Sequence, residues 1–175
     1  MSALVKFVAA TIAAAALFGG AAAQCDAETS KQFCYTADNG GTPQNVNTTD
    51  VAYVAAYLRA YGAQTKAGRQ LTMTVADAAD CAEWSLYTHG TVLATAKHID
   101  STLNSSVLYA DIANTIDGGA GATPAQQAAA ILGCGTAGGS LGVVYDPTNP
   151  QYNTATYLAD DYTPGGILIK IVSSS

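Results

Sequence analysis

Hydrophobic and polar residues alternate most regularly over residues 81–99, CAEWSLYTHGTVLATAKHI, where two runs rich in Trp, Tyr, Leu, Val and Thr flank the polar Thr88-His89-Gly90. Period-two alternation describes strands with one face buried, and Gly90 permits the positive φ of a tight turn, so the stretch predicts a β-hairpin. Ala82, Trp84 and Leu86 share one face of the first strand; in the second, Val92, Ala94 and Ala96 oppose Leu93, Thr95 and Lys97. The C-terminal run GGILIKIV sets Ile167, Ile169 and Ile171 against Leu168, Lys170 and Val172, and a strand apolar on nearly both faces belongs inside a sheet. Shorter strands are predicted over 32–36, over 70–75, where Leu71, Met73 and Val75 alternate with threonines, and over 141–145.

A second periodicity, of three to four residues, marks helices. After the turn-rich DNGGTPQN, Thr49 or Asp50 can cap a helix over 51–64, with Val51, Val54, Leu58 and Tyr61 on one face and Gly62 placed to end it. Tyr53, Tyr57 and Tyr61 repeat every four residues on that helix. They predict a rim packed on a sheet with hydroxyls reaching water, against the alternative of an aromatic ladder for sugar rings. Ser105 or Ser106 can cap a helix over 106–117 carrying Leu108, Ile112 and Ile116, stopped by Gly118-Gly119. Thr123-Pro124-Ala125-Gln126 has the form of a capping box opening a helix that runs to Gly133. Residues 135–139 read as a flexible connector and 146–154 as an exposed loop. With no repeat and no long linker, the expected architecture is one α+β domain: an antiparallel sheet covered on one face by two or three helices, an α/β sandwich.

Residues 1–23 fall outside that pattern. A single charge at Lys6, an apolar run over 7–18 and Ala21-Ala22-Ala23 ahead of Gln24 predict a secretory signal peptide, with 24–175 as the secreted, extracellular domain. The apolar run is shorter than the roughly 20 residues a membrane span needs, and no later segment is apolar enough, so stable membrane insertion is not expected. Cys25, Cys34, Cys81 and Cys134 all follow the proposed cleavage point, and an even count in a secreted chain predicts two disulfides. Three pairings are open; the short separation of Cys25 and Cys34 favours joining those two, and Cys81 to Cys134. The formal charge of −6 would repel phosphate backbones and anionic lipid, which sets nucleic-acid binding aside. Asn47-Thr48-Thr49 and Asn104-Ser105-Ser106 are glycosylation sequons expected at exposed positions ahead of helices.

Catalytic chemistry finds little support. Gly138-Gly139-Ser140-Leu141-Gly142 matches G-x-S-x-G, but a nucleophile elbow needs a strand before the serine and a helix after it, and the predicted order is the reverse. His89 reads as a turn residue and His98 as a strand-end residue with its tip in solvent. Asp160 and Asp161 are adjacent and would point apart, and Asp77 with Asp80 reads as a solvated loop. No CxxC, calcium-loop or phosphate-loop pattern occurs, so neither a metal nor a cofactor is expected.

The C-terminal half carries a family likeness. A helix ending in ILGC at 131–134, a Gly/Ser connector into SLGVVYDP, a polar loop and a last strand GGILIKIV, preceded by Cys81, the strand HGTVLATA and a helix over 106–117, resemble the KP4-like killer toxins and related small secreted effectors of fungi. The likeness covers residues 81–172. It implies helices on an antiparallel sheet and action on another cell, for some members through calcium channels. Those toxins carry many more disulfides and are often basic, so no functional residue is carried across. The expected function is a non-enzymatic effector or toxin-like module acting on a host or competitor cell, with a surface protein or glycan as target. The alternatives are a carbohydrate or cell-wall binding module and a small hydrolase using Ser140.

Overall fold

In the computed structural model, which describes residues 28–78 and 82–175, the chain runs β1 (Phe33–Cys34), α1 (Thr48–Gly62), β2 (Gln70–Met73), β3 (Glu83–His89), β4 (Val92–His98), β5 (Asn104–Leu108), α2 (Tyr109–Asp117), α3 (Pro124–Ala129), β6 (Gly139–Gly142), α4 (Ala155–Ala159), β7 (Tyr162–Thr163) and β8 (Ile167–Ser173). The proposed leader and its cleavage point lie outside the described residues, as do Cys25, Cys81 and Asp80.

Five strands form an antiparallel sheet in the order β1-β6-β8-β4-β3, which makes the fold α+β. β8 holds the central place its sequence predicts, with Ile167, Ile169 and Ile171 buried together with Val92, Ala94 and Ala96 of β4. The β3–β4 hairpin closes at Gly90, whose φ of 53° places it in the left-handed region. The Asp50 carboxylate occupies the place a Cβ would take there. It accepts from the Thr91 backbone N–H and from the Thr91 hydroxyl, both at 2.9 Å, which clips the first turn of α1 to the hairpin tip.

Those two Thr91 bonds, the backbone one foremost, hold the Asp50 carboxyl below its ordinary value of 3.8. The fold therefore favours the ionised form, and the associated stability is complete above 3.8 and lost as pH falls through the lowered folded-state value. Thermal unfolding followed from about pH 5 to about pH 2.5 should lose more of its midpoint in the wild type than in Asp50→Asn. Equal losses would show that the clip contributes nothing.

The helix ends follow local chemistry. Asn47 caps α1 by accepting from the Thr49 N–H at 2.8 Å, two or three residues earlier than the expected Thr49 or Asp50, whose carboxylate is engaged by Thr91. Thr123 and Gln126 form the full capping box at α3, with Pro124 in the first turn. α1 and α2 pack on each other, and Gly62 lets α2 approach: a Cβ there would stand 3.0 Å from that of Tyr109. Arg59 bridges the same two helices through Asn114 and Asp117, at 3.2 and 2.7 Å. α1 also touches β3 and β4, while α2 touches β5, β6 and β8.

Four expectations are corrected. Among the described residues there is a second sheet, β2-β5-β7, in which β5 pairs antiparallel to β2 and parallel to β7. Its middle strand takes residues 104–108, so the helix expected from 106 begins at Tyr109, and Ser105 and Ser106 are buried strand residues instead of caps. Their hydroxyls suit burial because each finds a partner, Ser105 on His98 and Ser106 on Thr72 and Gln70.

The disulfide also differs: Cys34 is bonded to Cys134, across a separation of 100 residues, and neither Cys25–Cys34 nor Cys81–Cys134 forms. Strand pairing is the reason. β1 lies along β6, with Cys34 opposite Gly139, and residues 44–46 continue along 136–137, so the two cysteines meet with Cα atoms 5.1 Å apart. Finally, the segment read as an exposed loop contains a 3-10 turn, Pro150–Asn153, followed by α4, and it buries Tyr152 and Tyr157. Residues 135–139, expected as a flexible connector, complete the 3-10 segment Ile131–Ala137 and begin β6.

Candidate functional site: an aromatic crevice beside a basic turn

α1 turns Val51, Val54, Ala55 and Leu58 into the core, which leaves Tyr53, Tyr57 and Tyr61, each one turn apart, on the flank beside β3. What they meet there depends on a β-bulge between Ser85 and Tyr87. Strict alternation would put Leu86 opposite Ala94; the extra residue instead sets Tyr87 opposite Ala94 and His89 opposite Val92, while Leu86 stays packed against the core. Tyr87 stacks on Tyr57, with ring centroids 3.6 Å apart and planes 9° from parallel, and His89 stacks on Tyr53 at 3.8 Å and 17°.

The row continues to Tyr61, whose ring lies 6.5 Å from that of Tyr57 with planes within 8°, and Tyr109 at the start of α2 meets Tyr61 edge-on at 4.9 Å. Tyr57, Leu58, Tyr61, Leu86 and Tyr109 line a crevice of about 240 Å³. Tyr53 and Tyr57 remain 48% and 40% exposed. Desolvation by burial pushes the Tyr87 and Tyr109 phenols above their ordinary range, so both stay protonated and can donate hydrogen bonds at any physiological pH.

At the far end of the row stands Arg69. Its guanidinium lies over the Tyr61 ring, 4.5 Å from the centroid, and Nη1 donates to the Tyr61 hydroxyl at 3.3 Å. Beyond the same turn lies a cleft of about 340 Å³ lined by Ala67, Gly68, Gln70, Gln151, Tyr157 and Tyr162 among others. The Tyr157 hydroxyl there is already spent on the Ser106 carbonyl, at 2.6 Å.

The residues singled out for catalysis do not converge. Ser140 lies within β6, 4% exposed and opposite Lys170 of β8, on the sheet face away from the helices. His89 and His98 belong to the other face, with Val92, Ala94 and Ala96. Lys170 is no substitute base: burial works against its charge, but hydrogen bonding to Glu83 and the fields of Tyr35, Glu83 and Glu28 outweigh it and raise its pKa. Lys97 pairs with Glu28 on the same face, and a cavity of about 280 Å³ beside Ser140 is lined by Glu28, Thr29, Phe33 and Tyr35. His98 is fully buried, which corrects the solvent-facing tip expected of it; its ring nitrogens meet the Ala78 carbonyl at 3.2 Å and the Ser105 hydroxyl at 3.1 Å.

Asp160 and Asp161 are exposed at the end of α4, and Asp77 is bonded to Thr74. Asn47 is exposed at the cap of α1, whereas Asn104 is half-buried in β5 with its side-chain oxygen accepting from the Val75 N–H at 3.1 Å. Among the described residues no group of three or more His, Cys, Asp or Glu side chains could hold a metal ion, and no helix is long and apolar enough to cross a membrane.

The tyrosine repeat of α1 was visible in the sequence. Tyr87, Tyr109 and Arg69 were not, because the bulge brings the first to the face Leu86 shares with Trp84 and helix packing supplies the others. Comparison with protein-family models, with curated proteins and with solved structures gives no match.

Proposed function

We propose that this chain is a secreted, non-enzymatic carbohydrate-binding module that seats a sugar ring at the crevice between α1, β3 and α2. The observation that carries the reading is the exposed, pre-stacked tyrosine row: Tyr53 and Tyr57 offer ring surface to solvent while His89 and Tyr87 hold them in place. A sugar presents apolar C–H faces edged by hydroxyls, and phenol rings with polar tips complement both. Because the rings are already ordered by packing, binding loses little side-chain entropy. The candidate leader and the Cys34–Cys134 bridge support an oxidising, extracellular setting. In this reading α1 and α2 cover one face of the five-stranded sheet as an α/β sandwich. The biological role is that of an effector or toxin-like module docking on the glycan coat of a host or competitor cell.

Screening against immobilised polysaccharides, followed by calorimetry on the best ligand, should show Tyr57→Ala weakening binding about tenfold to a hundredfold, as removal of a central aromatic contact does. Tyr57→Phe, which keeps the stack on Tyr87, should stay within a few-fold of wild type. If Tyr53→Ala and Tyr57→Ala both bind as tightly as the parent, the crevice is not the site.

A further inference from the structure

We infer that the sugar taken at the tyrosine row is an acidic one, a hexuronate whose carboxylate is received by Arg69. This rests on the carbohydrate-binding reading and narrows it. The protein is acidic overall, with a formal charge of −6, and it neutralises Arg59, Lys97 and Lys170 internally against Asp117, Glu28 and Glu83. Among the described residues Arg69 has no carboxylate partner, and neither has Lys66 in the same turn. Of the described cations without a carboxylate partner, Arg69 and Lys66 share the turn where the aromatic row ends, and Lys31 lies elsewhere.

Arg69 is also held as a binding group would be. It is half-buried, its guanidinium is laid over Tyr61, and one of its five N–H donors goes to the Tyr61 hydroxyl. Its Nε is enclosed by the protein without a hydrogen-bond partner, so a carboxylate would be received by the Nη groups. A guanidinium fixed in one plane with donors to spare matches a carboxylate in two-point geometry, and ordering it in advance lowers the cost of binding. Neutral sugars would satisfy the tyrosine rings and leave the guanidinium without an anion.

The test varies the ligand before the protein. Oligomers of galacturonic acid, the same oligomers as methyl esters, and neutral galactose oligomers are titrated into the secreted chain by calorimetry. The free acid should bind about tenfold to a hundredfold more tightly than its ester, the range of a charge-assisted hydrogen-bonded contact, and added salt should narrow the gap. Arg69→Gln should abolish the preference for the acid while leaving ester binding nearly unchanged. Arg69→Lys should keep part of the preference, and thermal melts of both variants confirm folding. Equal binding of acid, ester and neutral oligomers, lost in Tyr57→Ala, would overturn the inference and keep the carbohydrate reading. Absence of binding to any oligosaccharide on a broad array would overturn both.

Discussion

Replacing Cys34 and Cys134 together by serine should lower the midpoint of thermal unfolding by about 10–20 °C. The bridge closes a loop with a sequence separation of 100, and a cross-link of that span removes about 4.7 kcal/mol of chain entropy from the unfolded state. For a domain of this size each kcal/mol corresponds to about 2–4 °C. Strand pairing offers little to replace it, because β1 has only Phe33 and Cys34 in register with β6. The flanking backbone bonds are single ones, Gly142 N–H to Ser30, Tyr35 N–H to Gly138, Gln44 N–H to Ala137 and Val46 N–H to Thr136, joined by side-chain bonds of Gln32 and Gln44. The loss should therefore begin at the N-terminal segment. Hydrogen exchange over residues 33–46 should accelerate before the sheet centre at β8 does. Calorimetry without reductant is the direct measurement, and a shift below about 3 °C would mean that register and packing alone hold this edge.

The second large effect is expected at His98. The Ala78 carbonyl can only accept, so Nδ1–H donates to it, and in the neutral imidazole that leaves Nε2 to accept from the Ser105 hydroxyl. The ring is fully buried and joins β4 of the five-stranded sheet to β5 of the second sheet. His98→Leu would leave a buried carbonyl and a buried hydroxyl without partners, at about 1–3 kcal/mol each, so urea denaturation should report a loss of about 2–6 kcal/mol. Sugar binding measured below the new melting point should be unchanged, because His98 bonds to Ala78 and Ser105, neither of which lines the crevice. A loss under about 0.5 kcal/mol would show that water or a local shift restores both bonds.

The disulfide and His98 both depend on partners that local sequence does not reveal. Cysteine spacing suggested the nearest neighbour, but the bond follows the β1–β6 pairing, which no local signal announces. His98 looked solvent-facing because β4 ends there, yet the second sheet begins on the other side of it. The serines of Asn104-Ser105-Ser106 read as helix caps since short hydroxyl side chains favour that position; buried partners on β2 and β4 make them strand residues instead. The crevice was half legible: a four-residue tyrosine repeat marked one wall, and the bulge that turns Tyr87 toward it has no signature in the run EWSLYTH.

What the sequence determined by itself was the set of elements whose signals are local. The turn at Gly90, the alternation of β4, the doubly apolar β8, the apolar stripe of α1 and the capping box at Thr123 each depend on residues a few positions apart. Only the tertiary structure decided the second sheet, the Cys34–Cys134 bond, the burial of His98 and the meeting of Tyr57, Tyr61, Tyr87, Tyr109 and Arg69. Local patterns set the backbone period and the buried face, which short-range sterics and hydrophobicity control. Which distant partner fills that face depends on packing across the whole chain, and the ring stack and the guanidinium at its end arise at that level.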